Sequence, residues 1–158
     1  MQQVSVIIPA YNCSLYIRET LQSLLSQTAQ GLEIIVVNDG SSDDTADIAR
    51  SFGPAVTVID QANAGVCAAR NRGIRHASGE FIALVDHDDF WLANKLANQL
   101  VAFKANPQVD VVFSGFSWWH PNPATGKFDL PESPPLRDRK STRLNSSHLR
   151  LSRMPSCA

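Results

Sequence analysis

Residues 81–91 read FIALVDHDDFW, so five apolar residues run directly into Asp86, His87, Asp88 and Asp89. Two unit charges about 5 Å apart repel by on the order of 1 kcal/mol in water and by several times that in a half-dry cleft. Such a cluster is stable when one acid takes a proton, when a basic side chain pairs with it, or when a divalent cation binds. On extended backbone Asp86 and Asp88 point the same way. That suits a hard cation such as Mg2+ or Mn2+, completed by phosphate oxygens and water. The plainer use is a solvated loop in which Asp88 or Asp89 caps the next helix.

Other residues carry weaker signals. Asp39 stands in VVNDGSS, where Gly40 permits a tight turn and a carboxylate can accept from a base N–H or a ribose O–H; an ordinary Asx turn explains it equally well. QANAGVCAARNRG (61–73) offers Asn63, Gly65, Arg70 and Asn71. Gly65 lets backbone approach a ligand and Arg70 can pair with a phosphate, although Arg72 and Arg75 beside it also fit a solvated helix face. Trp91, Trp118 and Trp119 read as packing residues. His87 and His120 read as surface residues rather than metal ligands.

These residues need elements to position them. VSVII (4–8), LEIIVV (32–37), AVTVI (55–59), FIALV (81–85) and VDVVF (109–113) are short apolar runs typical of strands buried on both faces. Between them lie helical patterns. Ile17, Leu21, Leu24 and Leu25 follow Asn12 and Ser14 as caps, and SSDDTADIARSF follows Ser42 as cap and stops at Gly53-Pro54. A third helix runs from about Gly65 to Ala77. Leu92, Leu96, Leu100 and Phe103 mark a fourth, closed by Asn106-Pro107. Strand–helix alternation predicts an α/β fold with a mainly parallel sheet flanked by helices. Ligands then bind beyond the carboxyl ends of the strands, where PAYN, NDGSSDD and DHDD should converge.

The chain has 158 residues, 44% hydrophobic and 18% charged, which fits one globular domain. Its net charge of −1 is uneven: from Arg137 onward six basic residues face one acid, whereas the rest holds eight basic and fourteen acidic residues. An acidic folded part argues against nucleic-acid binding. Three cysteines without a CxxC pair outline neither a disulfide framework nor a zinc site. With no signal-peptide pattern and no apolar stretch of about 20 residues, the expected location is cytoplasmic, with the cytoplasmic face of a membrane as the variant.

In order, VSVIIPAYN, LEIIVVNDGSSDDT, NAGVCAARNRGIRHASGEFIALVDHDDFW and NPQVDVVFSG resemble the family 2 glycosyltransferases over residues 4 to about 116. The resemblance implies a GT-A (Rossmann-like) fold, a nucleotide-diphosphate sugar donor, most often a UDP-sugar, a divalent metal (Mn2+ or Mg2+) and inversion at the anomeric carbon. By position, Pro9, Ala10 and Tyr11 look like the loop lining the nucleobase and Asp39 like the acid that reads it. Arg70 looks like a nucleotide-side contact, Asp86 like the ribose-side acid and Asp88 like the direct metal ligand. Asn63 and His87 count with the donor-binding residues, and Asp89 with the shape of the loop. The usual DDGS is NDGS here, with Asn38 replacing the first acid.

No general base is assigned. The family's base lies farther past the Asp-x-Asp than the 69 residues that follow Asp89. Of the acids there, Asp110, Asp129, Glu132 and Asp138, none sits in a recognisable base motif. The expected organisation is a partial nucleotide-sugar-binding domain at 1–119, a Pro-rich loop at 120–136, and a basic, Ser-rich tail at 137–158. That tail resembles translated adapter or vector DNA and is expected to be disordered. The chain thus reads as the donor-binding half of a truncated fold, with an exposed sheet edge where later strands would pair and an acceptor (saccharide, lipid or protein) left unspecified. Competing readings are a non-catalytic nucleotide-binding fragment and a sugar nucleotidyltransferase. The latter wants a Gly-rich, basic loop after the first strand, which PAYNCS is not. An Asp-nucleophile phosphohydrolase would place its Asp-x-Asp after the first strand, not the fourth.

Overall fold

The computed structural model describes residues 4–116 and the strand at 151–153. Strands β1 (Val4–Ala10), β2 (Leu32–Asn38), β3 (Thr57–Asp60) and β4 (Phe81–Leu84) alternate with helices α1 (Ile17–Leu25), α2 (Thr45–Arg50) and α3 (Val66–His76). Helix α4 (Lys95–Ala105) and strands β5 (Val111–Val112) and β6 (Leu151–Arg153) follow. The sheet order is β3-β2-β1-β4-β6-β5. The pairs β1/β2, β2/β3 and β1/β4 are parallel, and β6 runs antiparallel to both neighbours.

All seven residues of β1 are buried, and its side chains alternate between two layers. Val4, Val6 and Ile8 pack with Ile17, Leu21 and Leu24 of α1 and with Leu96, Leu100 and Phe103 of α4. Ile7 faces the other way and packs with Ile35, Val37, Ile82 and Ala69, with Ile74 of α3 against them. Helix α3 lies so close to β1 that a Cβ on Gly73 would stand 2.3 Å from Ile7 Cγ2.

Element boundaries moved where local chemistry outweighed the apolar pattern. β1 extends to Ala10, through Pro9. A proline in a central strand lacks a ladder donor, but here it costs nothing. Val85 donates to Ile7 O on the β4 side and Asp39 donates to Ala10 O on the β2 side, so Pro9 faces the β4 side, beyond the last β1/β4 register pair at Ile7 and Leu84. β3 starts at Thr57 because Gly53–Ala55 forms a 3-10 turn. Asn12 and Ser14 do not cap α1: its N-cap is Tyr16, without a side-chain bond. Ser42 does not cap α2, whose N-cap is Asp44; the side-chain acceptor there is Asp43, which takes Thr45 N–H at 3.0 Å. Leu25 is exposed at the end of α1, and Leu92 precedes α4 and is exposed.

The sequence reading put no strand in the basic tail; Leu151–Arg153 form β6, which pairs with β4 and β5 and covers the edge of β4. The boundary near 119, the Pro-rich 120–136, the rest of 137–158, Trp118, Trp119, His120 and Cys157 lie outside the described residues. Cys13 is buried and Cys67 exposed, both as free thiols, and Trp91 is a core residue. Among the described residues no helix is long and apolar enough to cross a membrane.

Candidate functional site

The strand order places β2 and β3 on one side of β1 and β4 on the other, so the chain reverses direction across the sheet between β1 and β4. A crevice opens at such a point outside the carboxyl ends of the strands. The three expected turns meet there. Asn12, at φ 47, accepts Ser42 N–H through Oδ1 at 2.8 Å, and its own N–H goes to Ser41 Oγ at 3.1 Å. Cys13 N–H donates to Thr45 Oγ1 and Ser14 N–H to Asp43. On the other flank the His87 ring contacts the freed Pro9 carbonyl through Nδ1 at 3.3 Å.

Asp39 sits just past β2 and is almost fully buried. Its Oδ1 accepts Gln61 Nε2 at 2.6 Å and Ala64 N–H at 2.9 Å, and its Oδ2 accepts Gly65 N–H at 2.9 Å. Burial pushes its pKa up, but these three donors outweigh burial and hold the carboxyl below its ordinary range. Asp39 therefore stays anionic and ties the end of β2 to the segment entering α3. Gly65 enters that helix at φ 89. Gly40, at φ +75, leaves no room for a Cβ, which would lie 2.8 Å from Asn63 N. Asn63 is thereby placed against the Asp39 turn, with its side chain exposed.

Asn38 is wired into the protein. Its Nδ2 donates to Asp60 Oδ1 at 2.8 Å, and its Oδ1 accepts Ser41 N–H at 3.1 Å. Asn38 and Asp60 are register partners on β2 and β3. An aspartate at 38 would set two carboxylates face to face, which gives the departure from DDGS a local physical reason.

Arg70, on α3, forms an ion pair with Asp86 at 2.5 Å, with both side chains mostly covered. Arg70 Nε is buried without a hydrogen-bond partner among the described residues. A buried orphan donor is costly unless satisfied, and an anionic ligand beside it would satisfy it. Asp88 is exposed, and among the described residues no hydrogen bond or ion pair engages its carboxylate. Asp89 N–H closes a turn on Asp86 O at 3.1 Å. Burial, then the charges of Asp86 and Asp88, push the Asp89 carboxyl up to about 6, against the pull of Lys95. Burial lowers Lys95 to about 8, with Asp89 opposing; its ammonium lies 5.1 Å from the Trp91 ring centroid.

Among the described residues no cluster of three or more His, Cys, Asp or Glu could hold a metal by itself. A cation here would be held by Asp88, with phosphate oxygens and water supplying the rest. That donor chemistry fits Mg2+ or Mn2+, which are commonly bound through one or two carboxylates plus substrate phosphates.

Of the residues singled out in the sequence, the structure joins Pro9 with His87, Arg70 with Asp86, and Asp39 with the segment that holds Asn63. Ala10 is buried, so its backbone rather than its side chain is available, while Tyr11 is half-exposed at the mouth of the crevice. Gln61, Asp60 and the polar row of α1 were not singled out. Their only sequence signal is position: Gln61 two residues past an apolar run, and polar Thr20, Ser23 and Gln27 interleaved with the apolar α1 residues.

Known proteins are similar to this chain in sequence and in fold. An uncharacterised glycosyltransferase of Rickettsia typhi is 40% identical over 114 residues, 72% of this chain and 36% of its own. The glycosyltransferase GlyA of Streptococcus pneumoniae is 36% identical over 117 residues, 72% of this chain and 17% of its own. TarS of S. aureus in complex with UDP-GlcNAc superposes with a TM-score of 0.62 at 33% identity, over 70% of this chain and 33% of that one. A mannosyltransferase of Pyrobaculum calidifontis in complex with GDP-Man and Mn2+ gives 0.62 at 32% identity, over 69% and 34%. The chain thus spans between 17% and 36% of the length of these relatives, and the α/β fold is of the GT-A type. The match to the Glycosyl transferase family 2 extends over residues 5–151, most of the sequence, and the chain belongs to that family.

Proposed function

We propose that this chain is the donor-binding part of an inverting, metal-dependent glycosyltransferase that moves a sugar from a nucleotide-diphosphate sugar, most often a UDP-sugar, to an acceptor hydroxyl. The observation that carries the reading is the acid triad at the end of β4: Asp86 held by Arg70, and Asp88 exposed beside the β1/β4 crevice. It is supported by related structures that hold UDP-GlcNAc, or GDP-Man with Mn2+. Pro9, Ala10 and Tyr11 line the nucleobase end, and Asp39 and Asn63 bound it from β2 and the turn before α3. Arg70 lies on the nucleotide side, Asp86 and His87 lie on the ribose side, and Asp88 holds the cation. When bound, Mg2+ or Mn2+ supplies positive charge at the departing diphosphate. Arg70, paired with Asp86, adds positive charge next to the acid triad.

No described residue is assigned as the base that takes the acceptor proton. Asp110 is exposed, near β5, and Asp129, Glu132 and Asp138 lie outside the described residues. A saccharide, lipid or protein acceptor, left unspecified, and a cytoplasmic location belong to the same proposal.

Calorimetric titration of the full chain with UDP, with and without Mn2+, tests the reading. Binding should strengthen with Mn2+, and Asp88→Ala should abolish most of that gain. A parallel GDP titration separates a guanine from a uracil donor. Equal binding of both nucleotides with and without Mn2+ would sink the metal-dependent reading.

A further inference from the structure

Helix α1 buries a polar row. Thr20, Ser23 and Gln27 are 2%, 2% and 6% exposed, at a spacing that puts them on one side of the helix and its C-terminal continuation. Buried polar groups are costly unless bonded, and apolar residues would fill this space without that demand. Ser23 Oγ donates to Thr20 O and Gln27 Nε2 to Ser23 O within α1 and its continuation; their partners outside the helix explain the choice, because these lie in one contiguous stretch. Thr20 Oγ1 donates to His87 O at 2.8 Å. Ser23 Oγ accepts Trp91 N–H at 3.1 Å. Gln27 donates to Leu92 O at 2.8 Å and accepts Leu96 N–H at 3.1 Å. The backbone of Thr28 adds a bond to Ala93 O at 2.8 Å. One helix thereby grips the chain from the acid triad to the start of α4.

The first of these grips bears on chemistry. The His87 carbonyl belongs to the peptide plane that joins His87 to Asp88. Fixing that plane fixes ψ of His87 and the place of the Asp88 Cα, and the turn closed by Asp89 N–H on Asp86 O restricts φ of Asp88; together they set the direction in which the Asp88 side chain leaves the backbone. The His87 ring in turn contacts Pro9 O through Nδ1. Residue 87 is thus clamped by carbonyl and by ring, between the acid paired with Arg70 and the acid that has no partner among the described residues.

We propose that Thr20 is a positioning residue for the cation site: its hydroxyl, through the His87 carbonyl, aims Asp88. This rests on the reading of Asp88 as metal ligand given above. Outer hydrogen bonds that orient a ligand are worth about 10–100-fold in metal affinity.

The test is calorimetry on the full chain with UDP, with and without Mn2+. The ratio of the two dissociation constants, the metal-dependent gain, is the readout. Thr20→Val keeps the shape and removes the donor; Thr20→Ser keeps the donor. Thr20→Val is expected to shrink the gain about tenfold or more, with the metal-free UDP affinity near wild type, and Thr20→Ser is expected to keep it. If Thr20→Val does not fold, Thr20→Ala takes its place with the same expectation. A gain in wild type that Thr20→Val preserves overturns the positioning role alone. Loss of the gain in Thr20→Ser as well as Thr20→Val also overturns it, since shape rather than the hydroxyl would then matter. No gain in wild type overturns the metal reading, and this role with it.

Discussion

Asn38→Asp changes one NH2 group to an oxygen in a buried strand end and tests why this chain departs from two adjacent acids. The wild-type Nδ2 donates to Asp60 Oδ1 at 2.8 Å. That bond is the leading reason the Asp60 carboxyl lies below its ordinary range, with burial opposing and Arg50 assisting. In the variant two carboxylates face each other about 3 Å apart, which at the effective dielectric of a protein surface is about 5 kcal/mol of repulsion. Asp60 is 54% exposed and also paired with Arg50, so solvent and the guanidinium screen at least half of that. Adding back about 1 kcal/mol for the lost hydrogen bond, and letting the pair share a proton as closely spaced acids do, gives a destabilisation of about 2–3 kcal/mol at pH 7.5.

The sign with pH follows. The variant pair has a folded pKa raised above its unfolded value of about 3.9. Its penalty is therefore absent below that value and grows as pH rises through the folded pKa. Denaturant unfolding of both proteins at pH 4 and pH 7.5 reads it directly. The midpoints should nearly coincide at pH 4 and separate at pH 7.5, with a fall in Tm of about 5 °C or more. A variant as stable as wild type at pH 7.5 would refute the account of Asn38 as a partner chosen for Asp60.

Asp39→Ala should leave Gln61 Nε2 and the N–H groups of Ala64 and Gly65 without their acceptor, at a cost of about 2 kcal/mol and with faster amide exchange at Ala64 and Gly65. Because the wild-type carboxyl is lowered by folding, its contribution is present above an unfolded pKa of about 3.9. The gap between the two proteins should close as pH falls below that; a pH-independent gap would count against the charge as the cause. Gly73→Ala would press a methyl to 2.3 Å from Ile7 Cγ2 and should cost about 1–3 kcal/mol. Pairing it with Ile7→Ala should make the two effects strongly non-additive in a thermal-melt cycle, and simple additivity would show that α3 can shift away from β1.

The sequence by itself determined the alternation of elements. Apolar β-branched runs cannot leave both faces wet, and the helical spacings between them need a surface to cover, so an α/β sheet follows from local pattern. It also determined which turns are polar, and hence that acids and amides would gather at the strand ends. Asp88 was visible in this way because charge on a loop beside a buried strand needs a reason. The tertiary structure decided what those groups bond to. Nothing local says that Arg70 reaches Asp86, that Gln61 and two backbone amides occupy Asp39, or that Asn38 faces Asp60 across the β2/β3 register. Pro9 argued against a longer first strand until the strand order showed that its missing N–H points into the crevice beyond β4. The row of Thr20, Ser23 and Gln27 looked like ordinary helix polarity, because its partners lie 65–69 residues away along the chain. Hydrogen-bond partners at such separations are chosen by packing, and packing is a property of the folded sheet and its helices rather than of any short stretch of sequence.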